Sequence, residues 1–168
     1  TAIFTHCRDV YTMTSDAEAI GRLLVDSGGN VATAESCTGG LIAKYLTEIA
    51  GASSWYAGGW VTYSNAMKKS QLGVTEEMLQ TYGAVSSQVA EAMCQGARKQ
   101  SGATVSLSTT GIAGPSGGTA EKPLGTVFVG CETQSRIEVR RFLFSGSRKE
   151  VQEQAAVAAL QLLHEVLL

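Results

Sequence analysis

The sequence predicts an α/β fold, a three-layer α/β/α sandwich around a mostly parallel mixed sheet that contains an antiparallel strand. Three observations lead there. Segments with apolar residues at helical spacing alternate with short β-branched or aromatic runs. The last two of those runs are separated by only a short polar turn, so they can pair as a hairpin. No internal repeat or flexible linker interrupts the order, and 168 residues with 44% hydrophobic content suffice for one substantial core.

Residues 1–14 show no usable periodicity, and Met13 reads as a native start behind an unstructured, appended leader. We therefore place a single domain at 15–168. Ser15 and Asp16 cap a helix with Ala17, Ile20, Leu23 and Leu24 on one face, stopped by Gly28-Gly29. A strand at 30–34 follows, and residues 35–38 make a polar turn. Gly39-Gly40 opens a helix carrying Leu41, Ile42, Tyr45, Leu46 and Ile49 up to Gly51. The run at 59–64 predicts a second strand, followed by short helices at 65–72 and 75–82. Ser86 caps a helix to about residue 100, with Val89, Met93 and Ala97 at helical spacing, and Gly102 ends it. Residues 103–109 alternate as a strand, and 110–123 form a loop that carries both prolines. Strands at 125–132 and 136–144 make the hairpin, and Ser145-Gly146-Ser147 leads into a last helix from Arg148 with Val151, Ala155, Ala158, Leu162 and Val166 inward.

Composition excludes several classes of function. The net charge is −2, with acidic and basic residues mixed along the chain. No basic stripe is available to neutralise a phosphate backbone, so nucleic acid is not an expected partner. No apolar run is long enough to span a bilayer and no signal peptide is visible, so we expect a cytoplasmic protein with no membrane partner. The cysteines Cys7, Cys37, Cys94 and Cys131 are scattered, and His6 and His164 lie at opposite ends. That distribution has no metal-ligand spacing, so no metal and no cofactor is expected. A homo-oligomer, dimeric or higher, is expected.

The polar, glycine-bearing turns carry the chemistry. Ser36 lies where a strand passes into a helix, and the amides of Thr38, Gly39 and Gly40 are expected to face an anion or oxyanion there. An ordinary serine cap is the alternative reading. Gly114, Ser116 and Gly118 match G-x-S-x-G, but a nucleophile elbow needs a strand before it and a helix after it, and here a strand follows. His164 lies in an apolar helix, so a serine–histidine triad is rejected. Neither a dinucleotide fingerprint nor a P-loop is present, although the glycines at 110–118 can present a nest of amides to a phosphate or carboxylate. Tyr63 and Lys68 fall at the end of the second strand and just beyond it. With no histidine to serve, a partly desolvated Lys68 is the plausible base for a serine, unless it is simply solvated beside Lys69. Arg148, at the start of the last helix, can grip a phosphate or decorate the surface.

Taken together, TAESCTGG (33–40), VTYSNAMK (61–68), YGAVS (82–86), TGIAGPSGG (110–118), EKPLGTV (121–127) and FSGSR (144–148) resemble the CinA C-terminal family, over nearly all of 15–168 and in its stand-alone form. The resemblance implies a nicotinamide mononucleotide deamidase acting in pyridine-nucleotide recycling, with a small-molecule nucleotide as its substrate. It places the family's nucleophile on Ser36, its lysine on Lys68, its tyrosine on Tyr63, its loop hydroxyl on Thr110 beside Gly111, and its arginine on Arg148. A nucleotide-binding relative without catalysis, or a serine amidase for another small amide, would carry similar motifs.

Overall fold

The computed structural model describes residues 10–168, and the side chains of residues 14–168. Helix α1 (Val10–Ser27) starts five residues before the Ser15 cap expected from the sequence, so residues 10–14 belong to it rather than to an unstructured leader. Residues 1–9, the remainder of that leader, lie outside the described residues. Then come β1 (Val31–Glu35), α2 (Leu41–Thr47), a 3-10 turn (Ala52–Ser54), β2 (Tyr56–Val61), α3 (Asn65–Leu72), α4 (Glu76–Tyr82) and α5 (Ser87–Ser101). Strands β3 (Val105–Gly111), β4 (Thr126–Glu132) and β5 (Ile137–Leu143) precede α6 (Arg148–Leu167).

The strand order is β2-β1-β3-β4-β5. The β1–β2 and β1–β3 pairs are parallel, and β3–β4 and β4–β5 are antiparallel. Four strands thus run in one direction and β4 alone opposes them, which is the mixed, mostly parallel sheet expected. Helices α1, α2 and α6 cover one face over a core that includes Val31, Leu107, Val127, Val129 and Leu160. The other face carries α3, α4 and α5 over Ala34, Leu72, Val89, Met93 and Ala97.

Strand β3 shows how a polar run occupies the middle of such a sheet. Its residues are almost all buried, and successive side chains alternate between faces. Val105 and Leu107 enter the apolar core. Ser106, Ser108 and Thr110 face the other way and donate to the carbonyls of Cys94, Ala90 and Ala84 at 2.8, 2.7 and 2.7 Å. Each buried hydroxyl is thereby paired, and together they hang α5 and the turn before it on the strand.

Other boundaries moved as well, and β3 lies at 105–111 instead of 103–109, so Thr110 and Gly111 belong to the strand and not to the loop. Strand β2 lies at 56–61 instead of 59–64 because it is an edge strand, with every second residue exposed. A Cβ on Gly59 would lie 2.1 Å from Thr33 Oγ1 and 2.7 Å from the Thr33 carbonyl oxygen, so the strand approaches β1 closely there. Helix α2 is shorter than expected, ending at Thr47.

Gly96 sets the closeness of two helices on the α5 face. A Cβ there would lie 2.0 Å from the carbonyl oxygen of Leu72, at the C-terminus of α3. Alanine is the better helix former by up to about 1 kcal/mol, but overpacking against rigid backbone costs about 1–3 kcal/mol. Gly96→Ala should therefore lower the stability read by denaturant unfolding, and an unchanged or higher midpoint would show that α3 yields freely.

Candidate active site

Four strands deliver their carboxyl ends to one edge of the sheet, where open α/β sheets bind ligands. Ser36 is the first residue after β1, Thr62 and Tyr63 follow β2, β3 ends at Gly111, and β5 leads through residues 144–147 into Arg148. Ser36 continues the β1–β3 pairing one residue past the strand, its N–H donating to the Thr109 carbonyl at 3.0 Å. Alternation then sends its side chain to the α5 face, the side on which α3 lies.

Helix α3 begins at a Ser64 cap, whose hydroxyl accepts from the Met67 N–H. Lys68, one turn in, points inward and is only 2% exposed. Its Nζ lies 2.9 Å from Ser36 Oγ and donates to the Thr62 carbonyl at 2.9 Å. Among the described residues no carboxylate pairs with this amine. Burial therefore pulls its pKa below the ordinary lysine value. The opposing influence would be a Cys37 thiolate, but burial pushes that thiol up to about 12, so it stays protonated at neutral pH. An uncharged amine at 2.9 Å can accept the Ser36 proton. The lysine and serine singled out in the sequence are thus brought together.

The opposite face of the same turn is organised by Glu35, which ends β1 rather than lying in the turn expected at 35–38. This buried carboxylate accepts from Thr38 Oγ1 at 2.6 Å and from the N–H groups of Gly40, Ile42 and Ala43 at 3.0, 3.2 and 2.8 Å. The Thr38 hydroxyl lies 2.7 Å from that of Thr109. The expectation that Gly39 and Gly40 offer amides to a ligand is corrected here. Gly40 gives its N–H to Glu35, the last residue of β1, which caps the seven-residue helix α2, and Gly39 gives its N–H to the Ser36 carbonyl. With Thr38 these two glycines line a depression of about 410 Å³ between α2 and α6.

The remaining expected residues are placed as follows. Thr110 is buried and its hydroxyl donates to the Ala84 carbonyl, so that donor is already engaged. Gly111 is the last residue of β3, and a Cβ on it would meet Val127 Cγ2 at 2.6 Å and Cys37 Sγ at 3.1 Å. Its lack of a side chain is explained by packing. Tyr63 is well exposed, and its hydroxyl accepts from Arg148 Nη2; among the described residues it forms no hydrogen bond with Ser36 or Lys68. Arg148 also donates through Nη1 to the Gly114 carbonyl at 2.7 Å. It therefore ties the β2–α3 loop to the glycine-rich loop, beside a groove of about 520 Å³ lined in part by Gly114, Leu124, Phe144, Ser145 and Arg148.

Comparison with known proteins decides the family. The CinA C-terminal domain matches residues 13–167. The chain belongs to that family. A nicotinamide-nucleotide amidohydrolase PncC from Enterobacter agglomerans is 52% identical over 143 residues, covering 84% of this chain and 87% of the relative. A CinA-like protein from Desulfotalea psychrophila is 46% identical over 158 residues, 94% of this chain but 38% of its own length. Several curated CinA relatives are longer in this way, and the chain spans about 37% of such a relative from Clostridium beijerinckii. The crystal structure of the competence/damage inducible protein CihA from Agrobacterium tumefaciens superposes with a TM-score of 0.89 at 41% identity, covering 92% of this chain and 94% of that one. A CinA superfamily protein from Escherichia coli gives 0.90 at 33% identity, covering 95% and 94%.

In this CinA domain the sign of the Lys68 effect on stability is fixed by the direction of its shift. Between the lowered folded pKa and the unfolded value near ~10.4, the unfolded chain binds more protons, so wild-type stability rises with pH across that window. In Lys68→Met, which keeps the volume without the amine, that contribution is absent. The variant should match or exceed the wild type in stability at pH 7, with the difference closing as pH approaches 10. A gap that stays constant with pH in denaturant titrations would show that Lys68 titrates alike in the folded and unfolded chains.

Proposed function

We propose that this CinA domain is an amidohydrolase that converts nicotinamide mononucleotide to nicotinate mononucleotide and ammonia, with Ser36 as nucleophile and Lys68 as base. The observation that carries this reading is the 2.9 Å approach of Lys68 Nζ to Ser36 Oγ in a buried setting without a neighbouring carboxylate. Such surroundings favour the unprotonated amine that a serine nucleophile requires. The name of the Enterobacter agglomerans relative supports the substrate.

In the proposed reaction Lys68 takes the Ser36 proton as Oγ attacks the carboxamide carbon, and the carbonyl π electrons move to oxygen. The tetrahedral oxyanion collapses, the C–N bond breaks, and the proton held on Lys68 passes to the departing nitrogen, which leaves as ammonia. Water, deprotonated by the same amine, then cleaves the acyl–serine ester and releases the carboxylate. Tyr63 acts from the substrate side through its bond with Arg148. Arg148 presents five N–H donors, of which the structure engages one with Gly114 and one with Tyr63, leaving others for the substrate's phosphate. The adjoining groove of about 520 Å³ is within the size range of small-molecule sites, roughly 300–1,000 Å³.

Ammonia release from nicotinamide mononucleotide by the purified chain tests the reading directly. Ser36→Ala should stay folded and lose several orders of magnitude in turnover, and near-normal turnover would end the covalent proposal. The wild-type rate should rise with pH as Lys68 loses its proton. Lys68→Gln that keeps both rate and profile would place the base elsewhere. Substrate that binds without releasing ammonia would identify a binding relative instead.

Arg148→Ala separates recognition from chemistry. A charge-assisted phosphate contact is worth about 1.5–3 kcal/mol, or roughly 10- to 150-fold. The variant should lose about that factor on the mononucleotide while barely changing use of nicotinamide riboside. An equal loss on both would move phosphate recognition to the glycine-rich loop.

A further inference from the structure

The turn between β1 and α2 leaves two peptide N–H groups without an acceptor in another of the described residues, those of Cys37 and Thr38, the former meeting only its own thiol. The others are engaged. Ser36 donates to Thr109, Gly39 to the Ser36 carbonyl and Leu41 to the Thr38 carbonyl. Gly40, Ile42 and Ala43 donate to Glu35.

The directions of the two remaining groups are set by what their peptide carbonyls do, because C=O and N–H point in opposite directions across a trans peptide. The Ser36 carbonyl accepts from Gly39, so the Cys37 N–H points away from Gly39. The Cys37 carbonyl accepts from Gln152 Nε2 at 2.9 Å, a bond between residues 115 positions apart in the chain. Gln152 projects from α6, on the face of the sheet opposite α3. The Thr38 N–H is therefore turned away from α6, toward the side on which Ser36 meets Lys68.

We infer that Gln152 is a positioning residue for the amide hydrolysis proposed above: by holding the Cys37 carbonyl it aims the Thr38 N–H, together with that of Cys37, at the oxyanion. The inference rests on that reading. Donors aimed in advance at developing charge stabilise it without reorganisation at the moment of reaction, and the amide that follows a nucleophile is a recurrent member of such sites. Gln152 is suited to hold rather than to react. It is only partly buried, its amide is neutral over the working pH range, and it borders the depression behind the turn, not the dyad.

The test compares wild type with Gln152→Leu, which removes the donor, and Gln152→Lys, which keeps one of similar reach. Loss of an oxyanion donor outright costs about 10²–10³ in kcat, so loss of the group that aims one should cost about tenfold or more. We expect that fall in kcat for Gln152→Leu with KM within about twofold of wild type, at an unchanged folded fraction by circular dichroism, and recovery in Gln152→Lys. A kcat per folded molecule equal to wild type would overturn the inference, as would a loss confined to KM. A second readout does not depend on the substrate. A fluorophosphonate forms a bond from Ser36 Oγ to phosphorus and expels fluoride, and its phosphoryl oxygen draws on the same donors. Its rate of labelling by intact mass should fall in Gln152→Leu and recover in Gln152→Lys. If the wild type labels Ser36 but releases no ammonia from nicotinamide mononucleotide, the proposed substrate is wrong and labelling alone decides the role of Gln152. Equal labelling rates would refute that role, and a wild type that neither labels nor hydrolyses would remove it together with the reaction.

Discussion

A lysine amine cut off from water is more easily held uncharged than charged, and the elements around Lys68 make that withdrawal unavoidable. Helix α3 starts at its Ser64 cap immediately beyond the edge strand, so its first turn sits over the end of β1. Its last turn is pulled against α5, where the absence of a side chain on Gly96 lets the Leu72 carbonyl come in close. Between these anchors Lys68 has the Thr62 carbonyl and the Ser36 hydroxyl as hydrogen-bond partners. Both partners are neutral, so neither offsets the cost of burying a charge on the amine. A carboxylate neighbour would have favoured the protonated form.

Glu35 complements this arrangement by keeping its charge on the other side of the sheet. Consecutive residues of a strand point to opposite faces, so Glu35 and Ser36 are adjacent in sequence yet serve different layers. The carboxylate satisfies the start of α2, which fixes the turn, while Ser36 is left with the amine. Were the register shifted by one residue, the carboxylate would face the lysine and hold it protonated. The β1–β3 pairing, from Val31 opposite Val105 to Glu35 opposite Thr109, thus decides which of the two side chains meets the Lys68 amine as well as how the layers pack.

Much of the fold was legible in the sequence because capping residues and apolar spacing speak locally. Ser86, Gly102 and Ser147 mark α5 and α6 where the structure has them, and the hairpin of β4 and β5 follows from its short turn. Strand β2 was misplaced by three residues because its glycines weaken the strand signal, whereas the aromatic and β-branched residues just beyond it strengthen that signal. Ser36 and Lys68 were identifiable as residues of the right kind. Their approach was not, since it depends on how α3 docks. The engagement of the Gly40 amide was hidden for a similar reason: a glutamate beside a turn is ordinarily exposed, and only the tertiary structure turns Glu35 inward. The Thr110 hydroxyl, which the resemblance implies for the site, donates to the Ala84 carbonyl in the turn before α5, a contact that only the tertiary structure reveals.

Cys37 stands next to the serine as a softer and intrinsically better nucleophile, yet its thiol is pushed up to about 12 by burial. Reactivity toward peroxides and electrophiles tracks the thiolate, and at neutral pH almost none is present. The sulfur beside Ser36 is therefore guarded against oxidation and alkylation. Solvent exclusion thus acts on both groups in the same sense, holding the thiol neutral and lowering the pKa of the Lys68 amine.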